Sequence, residues 1–309
     1  MHEGSKRAIF AAFLANLGIA IAKFVGFLIT GASSMLAESI HSVADTTNQG
    51  LLFHGGRQAS RPATPQHPFG YGRDRYFWSF VVALVLFSVG GLFAIYEGIE
   101  KLRHPHDIDS PAVAFTILGV AVVLELFSLR TAVKESNHVR GSLSWPQFVR
   151  RSKSPELPVV LLEDLGALFG LVFALAGVGL AVALDEPRWD GVGTLAIGLL
   201  LITIAVILVV EMKSLLIGES ATGDQQRAIL GAIEETPGVR RLIHMRTLHL
   251  GPDELLVAAK VELAESLDVR EVADAIDAAE AKVRSAVPIA RVIYLEPDLF
   301  SAAEAAEPT

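Results

Sequence analysis

Met35-Leu36-Ala37-Glu38-Ser39-Ile40-His41-Ser42-Val43-Ala44-Asp45 opens an apolar stretch, residues 35–53, that is long enough to cross a bilayer. His41 and Asp45 stand four residues apart, so on a helix they share one face. Ionisable groups at membrane depth are costly and turn toward a bundle interior or a water-filled path. Imidazole and carboxylate together suit a divalent transition metal such as zinc. The pair points to a metal pathway through a membrane more than to soluble chemistry.

The rest of the chain agrees with a membrane setting. Of 309 residues, 51% are hydrophobic and 19% charged, and the mean hydropathy is +0.46. That profile fits a multi-spanning protein with a polar extension. Six apolar stretches approach or exceed the ~20 residues that span a bilayer. They fall near residues 8–30, 34–56, 76–101, 112–133, 158–184 and 191–216. The short segment 1–7 leads directly into the first of them, without a small-residue cleavage site, and reads as the start of a span rather than a removable signal.

Charge gives an orientation. The connections after the second and fourth spans hold Arg57, Arg61, Arg73, Arg75, Lys134, Arg140, Arg150, Arg151 and Lys153; those after the first, third and fifth hold little beyond Arg103 and Arg188. By the positive-inside rule both termini and the basic connections are cytoplasmic. Residues 1–218 carry 17 basic and 17 acidic residues, and residues 219–309 carry 9 and 17, so the whole net charge of −8 belongs to the C-terminal part. An acidic domain argues against nucleic acid as a partner.

After Gly218 the pattern becomes that of a small soluble domain. Residues 224–236 read as a helix ended by Pro237-Gly238, and 239–250 and 254–263 as strands joined by the turn Gly251-Pro252-Asp253. Residues 268–287 show helical apolar spacing and 290–295 a last strand. The order α-β-β-α-β suggests an α+β, ferredoxin-like domain. The organisation expected is a six-span transmembrane domain over 1–218, a cytoplasmic domain over 219–300 and a tail over 301–309.

Enzyme chemistry finds no support. The chain has no cysteine, which excludes thiolate nucleophiles, thiolate metal sites and disulfides. Gly191-Val192-Gly193 lacks the strand–turn–helix context of a dinucleotide site, and no phosphate loop or His-Glu-x-x-His occurs. No catalytic cofactor is expected.

The second span, taken with His67-Pro68-Phe69-Gly70-Tyr71-Gly72-Arg73 and with Tyr96-Glu97-Gly98-Ile99 near the end of the third, resembles the cation diffusion facilitator family of divalent metal transporters. That resemblance covers nearly the whole chain. It implies a metal site with two ligands from span two, His41 and Asp45, and two from span five. There the second ligand position falls on Asp164, but the first falls on Val160, which cannot bind metal. Glu163 is adjacent to Asp164 and is the candidate replacement; neighbours on a helix point about 100° apart, so both carboxylates cannot face one ion without distortion. A Glu-Asp pair there is similar to a divergent branch of the family. The expected metal residues are therefore His41, Asp45, Asp164 and Glu163, with zinc as first cargo; the hard oxygen donors also fit manganese or iron(II).

The resemblance further implies metal/proton antiport by alternating access, and a homodimer held partly by the C-terminal domain. A non-transporting membrane scaffold that keeps the fold is the alternative, favoured by Val160 and by Tyr71, which stands where the family's loop motif has a second His. A bacterial cytoplasmic membrane suits the Ala-rich composition. Lys23 in the first span needs a carboxylate partner if it faces the bundle interior, with Glu97 and Glu125 as candidates. Glu38 is expected half-buried near the outer mouth. In the C-terminal domain, Tyr294 replaces the His of the family's last strand, and His244 and His249, five residues apart, fall on opposite strand faces.

Overall fold

Residues 3–300 are described by the computed structural model, with side chains from Asn16 onward; the expected tail, 301–309, lies outside the described residues. Long helices account for the first part of the chain: α1 (Glu3–Thr30), α2 (Ser33–Ala59), the run α3 (Asp74–Val85), a π-helical turn (Leu86–Leu92) and α4 (Phe93–Arg103), then α5 (Pro111–Arg140), α7 (Glu156–Ala183) and α8 (Arg188–Ile217). Four of these units, Asp74–Arg103, Pro111–Arg140, Glu156–Ala183 and Arg188–Ile217, are long and apolar enough to cross a membrane, and α1 is apolar over Asn16–Thr30. The second helix is the least apolar because it buries Ser34, Glu38, His41, Thr46 and Asn48. The result is the expected helical membrane fold, with four strongly apolar spans and two weaker ones.

The chain separates into two compact units. Among the described residues the first comprises 3–57 and 76–213, and the second 58–75 and 214–300. In the first unit Met35, Leu86, Leu118, Leu171, Ile197 and Leu201 form one apolar core drawn from α2, the π turn, α5, α7 and α8. Small residues bring the backbones together, as in membrane helix pairs generally. A Cβ on Gly193 would lie 2.8 Å from the Phe173 carbonyl oxygen. Gly191-Val192-Gly193, a sequence with a superficial likeness to a nucleotide loop, is thus a helix-packing surface.

Two connections differ from their sequence reading. The segment 134–156, expected as a basic loop, is largely helical: α5 continues to Arg140, and α6 (Trp145–Arg151) follows, opened by a Ser144/Gln147 capping box. Its Phe148 is buried against Ala132 and Leu161, so a short apolar contact orders what its charges suggested was solvated. Asp190, which falls between the fifth and sixth apolar stretches, lies in the first turn of α8 and is fully buried. Its carboxylate accepts hydrogen bonds from the backbone N–H of Ser33 at 2.6 Å and of Ser34 at 3.3 Å. It therefore supplies the N-terminal cap of α2 from a distant part of the chain. Gly31, at φ +64°, makes the α1–α2 turn that leads into that cap.

In the second unit α9 (Gly223–Glu234), β1 (Val239–Gly251), β2 (Glu254–Leu263), α10 (Val269–Ala286) and β3 (Ala290–Pro297) follow in the expected α-β-β-α-β order. The sheet runs β1-β2-β3, antiparallel at the first pairing and parallel at the second. A parallel neighbour requires a crossover, and α10 is that crossover. Ile229, Ile233, Leu255, Val257 and Val283 form the core between helices and sheet. The 58–75 connection belongs to this unit: Arg75 pairs with Asp253 at 2.7 Å, and a Cβ on Gly72 would sit 2.8 Å from the Leu250 carbonyl oxygen.

Candidate functional site: a polar cavity among four helices

The second helix carries its polar groups at positions 38, 41, 45 and 48, spaced by three or four residues and so aligned on one face. His41 is fully buried, and neither ring nitrogen has a hydrogen-bond partner among the described residues. Its Nε2 lies 3.5 Å from Asp45 Oδ2. A Cβ on Gly90 would be 3.9 Å from its Nδ1, so the ring faces the π turn; such turns are frequent at functional sites.

One helical turn on, Asp45 lines a small polar cavity shared by α1, α2, α5 and α7. Glu125, Glu163 and Asp164 also line it, together with the amides of Asn16 and Gln49. Among the described residues, no lysine, arginine or histidine lines it. Asp45 Oδ1 is buried without a hydrogen-bond partner among the described residues. The two α7 carboxylates are held differently. Glu163 is 5% exposed and accepts a hydrogen bond from Asn48 Nδ2 at 2.6 Å; Asp164 accepts one from Ser128 Oγ at 3.1 Å. The 100° between adjacent helix positions is resolved by giving each carboxylate its own neighbour, Glu163 to α2 and Asp164 to α5.

The structure thus brings Asp45, Glu163 and Asp164 to one cavity and leaves His41 beside Asp45 but off its wall. Val160 also lines the cavity, so the position that lacks a donor does face the site. Among the described residues no three His, Asp or Glu side chains converge on a single metal-sized point. Two groups at or beside the cavity were not singled out as ligands in the sequence: Glu125 on its wall, and Asn48, which donates to Glu163. Asn48 lies seven residues after His41, on the same helix face, which is the signal that would have found it. Glu125 had been read only as a partner for Lys23.

The far half of α2 is different. Lys23 donates to Glu38 Oε2 and to Ser42 Oγ, each at 2.9 Å, and the side chains of the ion pair are both fully buried. This corrects the reading that assigned Lys23 to Glu97 or Glu125 and made Glu38 half-buried. Glu97 instead accepts a hydrogen bond from Ser33 Oγ at 2.8 Å. Gly170 of α7 lies against Glu38, close enough that any side chain there would collide with the carboxylate.

In the second unit, His67 and Tyr71 pack ring to ring at 4.7 Å and Arg61 stacks on Tyr71 at 4.8 Å. The family-like loop is occupied by its own packing. His249 is 1% exposed, whereas His244 is partly exposed and accepts from Arg246 Nε at 3.1 Å. The two histidines do not form a pair.

The family model described as the cation efflux transmembrane domain matches residues 9–217, and that described as the cation efflux protein cytoplasmic domain matches residues 221–298. The chain belongs to the cation diffusion facilitator family. It is 35% identical over 243 residues to a Xenopus laevis protein named proton-coupled zinc antiporter SLC30A9, mitochondrial, covering 78% of this chain and 43% of that protein. The human protein of the same name is 31% identical over 262 residues, covering 84% and 46%. Metal tolerance protein C4 of Arabidopsis thaliana is 25% identical over 262 residues, covering 84% and 57%. The chain therefore spans less than half the length of the two vertebrate relatives. It is a multi-pass member of a transporter family, not an enzyme family.

Proposed function

We infer that the chain exports a divalent metal cation, zinc first, in exchange for protons. The observation that carries this reading is the cavity whose wall holds Asp45, Glu125, Glu163 and Asp164 and, among the described residues, no basic one. Carboxylates at membrane depth without a protein cation are a place for a mobile one. His41, Asp45, Glu163 and Asp164 are the proposed binding residues, and relatives named as zinc antiporters support the cargo and the coupling.

The exchange follows from ligand chemistry. Metal binding needs a neutral imidazole and ionised carboxylates, so loading displaces protons and protons displace the metal. Cavity groups from α2 and α7 must close around the ion, because the side chains do not converge on one point in this conformation. Relative movement of those helices, with His41 turning toward the cavity, completes the shell and changes the exposed side, as in alternating-access transporters. The basic connections are assigned to the cytoplasmic side. A second copy of the chain is the proposed partner, joined partly through the domain of α9, α10 and the sheet.

The second reading, a scaffold that keeps the fold without transport, draws on Val160 at a ligand position and on the lack of convergence. Flux of zinc and manganese into liposomes with an imposed pH gradient separates the two. Proton-coupled flux that disappears in Asp45→Ala supports the exchanger; a parent chain that neither moves nor binds either metal contradicts it.

A further inference from the structure

Asn48 is fully buried, and its two polar ends are in unequal states. Its Nδ2 donates to Glu163 Oε1 at 2.6 Å, while its Oδ1 has no hydrogen-bond partner among the described residues. Buried carbonyl oxygens are nearly always partnered, because leaving one unpaired forfeits its hydration. An amide serving only to hold two helices together would be expected to engage both ends. Asn48 also sits three residues after Asp45 and seven after His41, on the face of α2 that carries both. The α7 position that lacks a donor, Val160, lines the cavity together with Asp45 and Glu163, and Asn48 adjoins that wall through its hydrogen bond to Glu163.

We propose that Asn48 is a specificity-determining residue of the metal site, whose amide nitrogen aims Glu163 at the ion and whose carbonyl oxygen supplies the donor that Val160 does not. This rests on the reading of the cavity as the transport site. The Asn48 carbonyl oxygen then joins the proposed binding residues: one imidazole nitrogen from His41 and carboxylate oxygens from Asp45, Glu163 and Asp164. Carbonyl and carboxylate oxygens are hard donors that suit manganese and magnesium better than they suit softer ions, whereas imidazole suits zinc. Asn48 therefore tilts the site toward the harder ion without removing zinc.

The test is direct binding of zinc and of manganese, titrated separately at one pH, to the full chain in lipid nanodiscs. Asn48→Leu removes both polar ends at similar size; Asn48→Asp keeps an oxygen donor. Asn48→Leu is expected to weaken manganese about tenfold or more, the scale of ligand and outer-shell losses, and zinc distinctly less, so the zinc-over-manganese ratio rises. Asn48→Asp, which keeps an oxygen donor but loses the N–H held by Glu163, is expected to recover only part of the manganese affinity. Equal weakening of both metals by Asn48→Leu, or no change in either, overturns the proposal, since a packing role alone does not alter the ratio. An Asp45→Ala chain that binds both metals as the parent does would overturn the cavity reading itself. Loss of binding in Asp45→Ala with an unchanged ratio in Asn48→Leu would defeat the Asn48 proposal alone.

Discussion

The two halves of α2 bury charge in opposite ways. Around Glu38 the carboxylate is matched by Lys23, and both side chains are shut away completely. Around Asp45 the nearby carboxylates, Glu163 and Asp164, are hydrogen-bonded among the described residues to an amide and a hydroxyl, Asn48 and Ser128. Among the described residues one half carries its own cation and the other does not. A matched pair can be kept permanently dry, whereas an unmatched cluster is stable only while protons or a metal ion neutralise it. The contrast assigns rigidity to the Lys23–Glu38 end and exchange to the Asp45 end.

Removing Asp45 is the most damaging way to break the contrast. Asp45→Ala is expected to reduce proton-driven zinc flux in liposomes by about 100-fold or more, the upper scale for loss of a metal-holding group, while the protein still assembles. The matched half responds in stability rather than transport chemistry. Lys23→Met leaves Glu38 buried without its partner and is expected to cost about 3–5 kcal/mol, read as a lowered unfolding temperature. Replacing both residues by Met should recover most of that loss. If Lys23→Met were as stable as the parent, the pair would not be the fixed element described.

The α7 carboxylates sharpen the comparison further. Glu163 is tied to α2 and Asp164 to α5, so Glu163→Gln should weaken zinc binding about 10-fold or more, and Asp164→Asn less. Calorimetry on the two variants checks the order. The smallest effect is expected at a third kind of pair, on the surface of the C-terminal domain. Lys260 lies 2.8 Å from Asp298, and its hydrogen bond holds the Asp298 carboxyl below the ordinary value of 3.8. A depressed carboxyl contributes stability above its unfolded value and loses it as pH falls through the folded one. Asp298→Asn should therefore lower the unfolding temperature slightly at neutral pH and not at all in strong acid, because exposed pairs contribute little.

The sequence carried the helix lengths, the α-β-β-α-β order and the His41/Asp45 face, since each depends on residues close together in the chain. The Lys23–Glu38 pair was harder to see, although the turn at Gly31 places the two nearly the same distance from the hairpin's bend. Counting outward from that turn would have found it. Asn48 with Glu163, and Asp190 with the start of α2, depend on contacts between helices more than 100 residues apart, and no local period encodes them. Phe148 shows the opposite failure: a few apolar residues in a basic segment, Phe148 with Leu143 and Trp145, ordered a helix that charge alone argued against.

The central claim is that the unmatched carboxylates between α2 and α7 receive the transported ion. The most direct test is a structure of the zinc-loaded full chain, with the metal located by its anomalous scattering. The account predicts an ion bounded by Asp45 and Glu163, with carboxylate oxygens at about 2.0–2.2 Å, and His41 turned toward it. Zinc bound elsewhere in the membrane domain, with Asp45 and Glu163 still apart from it, would contradict the account.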